Sequence, residues 1–228
     1  RMELIGLSSD KNNSKIIINS THRDSTSKTT VETEYTIGSD GEIKIKRQID
    51  VESKSLPEIP RIGIKFTLPG DFKEIHWFGR GPHESYWDRK QSAAIGFYKG
   101  LVWDQTFQYV RPQETGNKTD VYWMALESNE IGLMAVGLPQ FDGSVHQYPY
   151  DDLDYYLGSQ KHGKLDISSK NQTDWLIDYG QMGVGGDNSW GAKPMKKYTL
   201  YPGYYEHSFI LIPYKVGVDL NKLSKRRI

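Results

Sequence analysis

The sequence contains no cysteine. That excludes a disulfide framework, a thiolate metal site and a cysteine nucleophile, and it leaves the compartment open between cytoplasm and periplasm. Net charge is missing too, since 29 basic residues balance 29 acidic ones among 228. A neutral chain offers no broad electrostatic surface to nucleic acid or an anionic membrane, so neither is expected as a partner. No apolar run approaches the roughly 20 residues that span a bilayer. No signal peptide is visible, so a soluble protein is expected. Helical periodicity is almost absent. Arg1 stands where an initiator methionine would, and the chain is read as a fragment of a longer protein.

What is present is alternation. Val31, Thr33, Tyr35 and Ile37 fall on one parity, as do Ile43, Ile45, Ile49 and Val51. Side chains alternate between the faces of a strand, so each run buries one face and wets the other. Gly38 to Gly41 joins the two as a hairpin loop. Further strands are expected around Leu4 to Leu7 and Ile16 to Asn19, with the polar stretch Thr21 to Thr29 as an exposed loop. Ile62 to Leu68, Ile75 to Phe78, Val121 to Leu126, Ile131 to Leu138 and Asp174 to Tyr179 continue the pattern. Lys197 to Leu200 and Tyr204 to Pro213 close it. Tyr150 to Leu157 offers one helical turn or two, and Lys222 to Ile228 reads as a basic, frayed tail. Many short strands with turn signals between them, and no break in composition, predict a single all-β sandwich over residues 1–228.

Two segments interrupt this order. Gly79 to Gly116 is long and irregular, rich in aromatics and charges, and such segments often carry function. Asp178 to Gly191 packs five glycines, side-chain amides, carboxylates and Trp190 into one run. Glycines allow turns and close approach. Trp190 is then either a packed anchor beneath its own loop or a flat platform offered to a ligand. The 15 tyrosines and 6 tryptophans of the chain carry the same ambiguity, between a β core and a carbohydrate-facing surface.

Chemistry can be tested against spacing. Glu84, Asp88, Glu114 and Asp120 lie in or beside the irregular middle and could form an acid–base pair, yet most carboxylates are simply solvated or paired. His76, His83 and His146 could transfer protons. His76, flanked by apolar residues, reads as a hydrogen-bonded strand residue. No metal-ligand spacing is present, so no metal ligand is assigned. Gly183 to Gly186 lacks the spacing and following helix of a dinucleotide loop. No serine sits in a nucleophile elbow. Arg111 to Asn117 forms a second dense polar run in which Arg111 and Glu114 can clamp one another and Asn117 can cap a turn. It reads as a structural network or as a contact to sugar or a neighbouring domain.

Three segments in order carry a resemblance: Trp77-Phe78-Gly79-Arg80-Gly81-Pro82-His83-Glu84-Ser85-Tyr86 with Asp88-Arg89, then Tyr109 to Asp120, then Gly183 to Trp190. Together they resemble the C-terminal β-sandwich, the small-chain or fifth domain, of the large β-galactosidases of glycoside hydrolase family 2. The resemblance implies a large antiparallel supersandwich like that of galactose mutarotase. It implies a retaining glycosidase whose two catalytic glutamates sit in a TIM barrel outside this chain, so no catalytic residue is assigned here. Trp190 takes the place of the family's sugar-stacking tryptophan. Asp187, Asn188, Arg111, Glu114, Asn117 and His83 are expected to support the loop or an interface. Partners implied are a β-galactoside, the other domains of the same polypeptide, above all the barrel, and further copies in a homo-oligomer. No cofactor is expected in this domain, and sodium or magnesium in the full-length enzyme. Two other functions share the fold: a free-standing aldose 1-epimerase using the scattered histidines, and a purely structural module that buttresses the barrel.

Overall fold

The computed structural model describes residues 2–12, 15–107, 109, 114–155, 168–188 and 190–226. Eleven strands run through them: β1 Glu3–Asn12, β2 Lys15–Asp24, β3 Thr29–Ile37, β4 Ile43–Val51, β5 Arg61–Pro69, β6 Glu74–Gly81, β7 Ala94–Leu101, β8 Lys118–Glu127, β9 Ile131–His146, β10 Gln172–Gln181 and β11 Tyr204–Lys215. Two short α-helical turns, α1 Asp152–Tyr155 and α2 Leu220–Leu223, and two 3-10 turns, Trp103–Gln105 and Lys196–Tyr198, accompany them. The fold is all-β and its strand pairings are antiparallel. The main path runs β1-β2-β3-β4-β11-β9-β8-β6-β7, and β10 leaves it to pair with both β9 and β5.

β9 makes this branching work. Its first half, from Ile131 to Gly137, lies between β11 and β8. Its second half, from Asp142 to His146, pairs with β10 instead. Pro139 sits between the halves, where a missing N–H interrupts a ladder at no further cost. The β5–β10 pair is thereby carried over the face of the main sheet. Phe66 of β5 meets Phe209 of β11 edge to face at 6.2 Å. Trp77, Met124, Phe141, Trp175 and Phe209 are all buried in the core between the layers. Each large apolar side chain removed from water there contributes about 1.5–3 kcal/mol. The two buried indoles also satisfy their N–H groups, Trp77 on the Arg80 carbonyl at 2.9 Å and Trp175 on Met124 Sδ at 3.2 Å.

The alternation read from sequence produces β3, β4, β5, β6, β8 and β10, and the Gly38–Gly41 hairpin joins β3 to β4. Four expectations change. Thr21 to Asp24 is strand rather than loop, because β3 pairs with it through Thr29. β7 lies inside the segment read as irregular. Ile95 and Phe97 point one way and Tyr98 the other, so an edge strand with apolar residues on both faces loses its period of two. Lys196–Tyr198 is a 3-10 turn, with Leu200 alone bridging Ile59. The basic tail begins as α2, which Asp219 caps by accepting from Asn221 N and Lys222 N, and which buries Leu223.

Candidate functional site

β10 delivers the glycine-rich loop. Its pairing with β5 slips between Asp178 and Gly180, and such a bulge re-aims the end of a strand. The loop that follows is tied down at successive amides. Met182 N donates to Pro60 O at 2.9 Å and Gly183 N to Tyr198 O at 2.7 Å. Asp88 then accepts from Val184 N at 3.1 Å and Gly185 N at 2.8 Å. Only glycine permits this clamp at 183, because a Cβ there would lie 2.5 Å from Asp88 Cγ. Gly185 next turns the chain with φ +67°, a region costly for other residues. Asn188 Oδ1 accepts from Trp190 N at 2.8 Å and closes a local turn. Trp190 stands at the tip, 90% exposed, and does not pack beneath its own loop.

A cleft of about 310 Å³ opens beside the loop, lined by Arg89, Tyr109, Glu114, Val184, Gly185 and Gly186. Its floor is a buried charge network. Arg61 donates from Nη2 to Glu114 at 3.2 Å and to Gln181 at 2.6 Å, and its Nε lies 2.9 Å from Asp178 Oδ2. The guanidinium also lies 5.0 Å from the centre of the Tyr150 ring, whose hydroxyl donates to Glu114. Burial disfavours the Arg61 charge, but Asp178 and Glu114 overcome it and raise its pKa. Asp178 faces Asp142 across the β9–β10 ladder. Burial pushes Asp178 up to about 8 against the pull of Arg61, and Asp142 up to about 7 against the hydrogen bond that Trp87 Nε1 donates at 2.7 Å. Glu84 forms the neighbouring hub. It accepts from Tyr109 and Arg89 on one oxygen and from Tyr86, Thr115 and Gly116 N on the other.

The model of the beta galactosidase small chain family matches residues 3–211. The chain belongs to this family. A beta-galactosidase of Priestia megaterium is 41% identical over 181 residues, 78% of this chain. The chain spans only 17% of that relative's length. Among solved structures, the GH36 alpha-galactosidase AgaB of Geobacillus stearothermophilus superposes on 94% of the chain and 28% of its own, with TM-score 0.52 and 10% identity, a likeness of fold alone. Galactose 1-epimerase from Lactobacillus acidophilus covers 92% of this chain and 66% of its own at TM-score 0.44 and 8% identity.

In this small-chain domain the residues singled out by sequence scatter around the cleft. Trp190 and Asn188 share the loop tip, and Asp187 beside them is exposed. Glu114 lines the cleft, with Arg61 and Tyr150 as partners among the described residues; Arg111 lies outside them. Asn117 is fully buried and binds the Ser85 carbonyl through Nδ2 at 2.9 Å. His83 is exposed, with Nε2 3.0 Å from Ser92 Oγ, and belongs to a second cavity of about 360 Å³ with Glu84, Phe107, Tyr109 and Lys118. His146 is fully buried, and desolvation followed by the Arg61 charge depresses it to about 3, so it is neutral. Asp88, Arg61 and Asp178 carry more of the site's geometry than their sequence context shows. Asp88 was visible as one acid among four and as part of the first resembling segment, and Arg61 carried no signal in the sequence.

Proposed function

We propose that this chain serves as the small-chain part of a β-galactosidase and lends one wall to its sugar site. The observation that carries this reading is Trp190, an almost fully exposed indole at the tip of a loop fixed by Asp88 and Asn188. Large exposed aromatics cost solvation unless something covers them, and the C–H face of a pyranose matches an indole plane. Such a contact binds and orients and moves no proton. The carboxylates that cleave the glycosidic bond, a nucleophile and an acid/base in a retaining mechanism, would lie in the part of the polypeptide outside this chain. The name of the Priestia relative supports the activity, and the family membership supports the place of this domain within it.

Trp190→Ala in the full-length enzyme tests this. Losing a central stacking contact of about 2 kcal/mol lowers kcat/KM on β-galactosides about thirtyfold. If the contact is equal in ground and transition states, the loss falls on KM. Thermal stability should be unchanged, because Trp190 buries almost nothing within its own domain. Wild-type kinetics for this variant would end the proposal.

A further inference from the structure

We propose that Glu74, His76 and Glu127 form a binding site for a divalent transition-metal ion of the zinc type. Glu74 and His76 are two residues apart on β6 and project from one face. Glu127 of β8 stands directly opposite Glu74 in the ladder. One ligand atom from each residue lies within 4.8 Å of the other two.

Three observations point to a cation rather than a simple ion pair. First, like charges placed directly opposite one another repel, and Lys99, opposite His76 on β7, forms no ion pair with either glutamate among the described residues. Second, Glu127 is only 9% exposed. Tyr214 donates to its Oε1 at 2.9 Å, which leaves Oε2 turned toward His76 with no hydrogen bond among the described residues. His76 Nε2 is itself out of solvent and has no hydrogen-bond partner among the described residues. Third, the spacing fits. His76 Nε2 is 3.4 Å from Glu127 Oε2 and 3.8 Å from Glu74 Oε2. A charge-assisted hydrogen bond would draw such atoms to about 2.8 Å. Ligands at about 2.0–2.1 Å from a tetrahedral ion are instead about 3.4 Å apart. Glu74 is the exposed member, so its side chain is free to turn its carboxylate toward the other two. The imidazole favours zinc or a similar transition-metal ion over calcium or magnesium, which take oxygen ligands. The Tyr214 hydrogen bond orients Glu127 as outer partners of metal ligands do. Three protein ligands leave a position for water.

The test uses the full-length protein, stripped with chelator and titrated with Co²⁺ alone while its visible d–d absorption is followed. His76→Ala should bind one equivalent fewer than the wild type. Glu74→Gln touches only the exposed ligand, so its fold is secure. It should weaken one Co²⁺ site about tenfold or more, on the scale seen when metal-site partners are lost. If His76→Ala fails to fold, Glu74→Gln decides alone. Wild-type stoichiometry and affinity in the folded variants overturn the site.

Discussion

Replacing Asp88 by alanine removes two acceptors from the glycine loop at once. Its carboxylate holds Val184 N at 3.1 Å and Gly185 N at 2.8 Å. A hydrogen bond to a charged group contributes about 1.5–3 kcal/mol net. Asp88 is half-buried and Val184 is exposed, so the lower figure applies to each bond. The pair then stabilises the loop by about 3 kcal/mol, equivalent to a change of about a hundredfold in its opening equilibrium. Native-state hydrogen exchange reads this directly. In Asp88→Ala, the amides of Val184 and Gly185 should exchange about a hundredfold faster. Those of Trp175 and Ile177, deep in β10, should keep their protection. Unchanged exchange at 184 and 185 would refute the clamp. Activity gives a second readout. If Asp88 acts only by placing Trp190, Asp88→Ala and Trp190→Ala are strongly non-additive, and the double variant behaves as Trp190→Ala alone. Full additivity would show that Asp88 acts by another route.

Two further outcomes follow from the same neighbourhood. Gly183→Ala places a Cβ 2.5 Å from Asp88 Cγ and should destabilise the loop by about 1–3 kcal/mol as overpacking does; in an Asp88→Ala background the clash is gone, and thermal melts of the two backgrounds should show the penalty only in the first. Asp178 and Asp142 have folded pKa values of about 8 and about 7, raised by burial above the unfolded range. Stability from this pair is therefore full below the unfolded pKa and lost as pH rises through the folded values. Between about pH 5 and about pH 7 the folded chain holds up to two more protons on this pair than the unfolded chain, so stability falls as pH rises, by about 1.4 kcal/mol per pH unit for each proton. Urea unfolding of the wild type should show that slope and Asp142→Asn a flatter one; equal slopes would mean that Asp142 takes no part.

What could be read from the sequence follows the range of the interaction that decides it. Ile45 and Ile49 announce β4 by their parity, since strand alternation is local. The glycines of 183–186 announce a loop of close approaches for the same reason. β7 escaped, because Ile95 and Phe97 are exposed on an edge strand while Tyr98 leans on Trp77 from the other face. Asp88 meets Val184 and Gly185 across 96 and 97 residues of chain. Arg61 gathers Glu114 and Gln181 from 53 and 120 residues away. Nothing local in composition or spacing encodes such encounters. They exist because β5 and β10 pair, and because β9 carries that pair over the core.

That arrangement also bears on what the carboxylates around the cleft can do. Glu84 sits in the irregular middle where an acid–base residue was sought, and its position alone would make it a candidate. A carboxylate offers about four lone-pair directions. Glu84 accepts from four groups, namely Tyr109, Arg89, Tyr86 and the amide of Gly116, while Thr115 shares its one hydroxyl proton between Glu84 and the Phe107 carbonyl. Those donors fill its lone-pair directions, and releasing the buried amide of Gly116 would leave it unpaired at about 1–3 kcal/mol. Glu114 is drawn in the same way between Arg61 and the Tyr150 hydroxyl. These acids therefore act as fixed acceptors that hold backbone and rings in place. They give the cleft beside the glycine loop a fixed polar floor, while Asp88 and Asn188 hold the loop itself, and a surface whose position is set before a ligand arrives loses less ordering entropy on binding it.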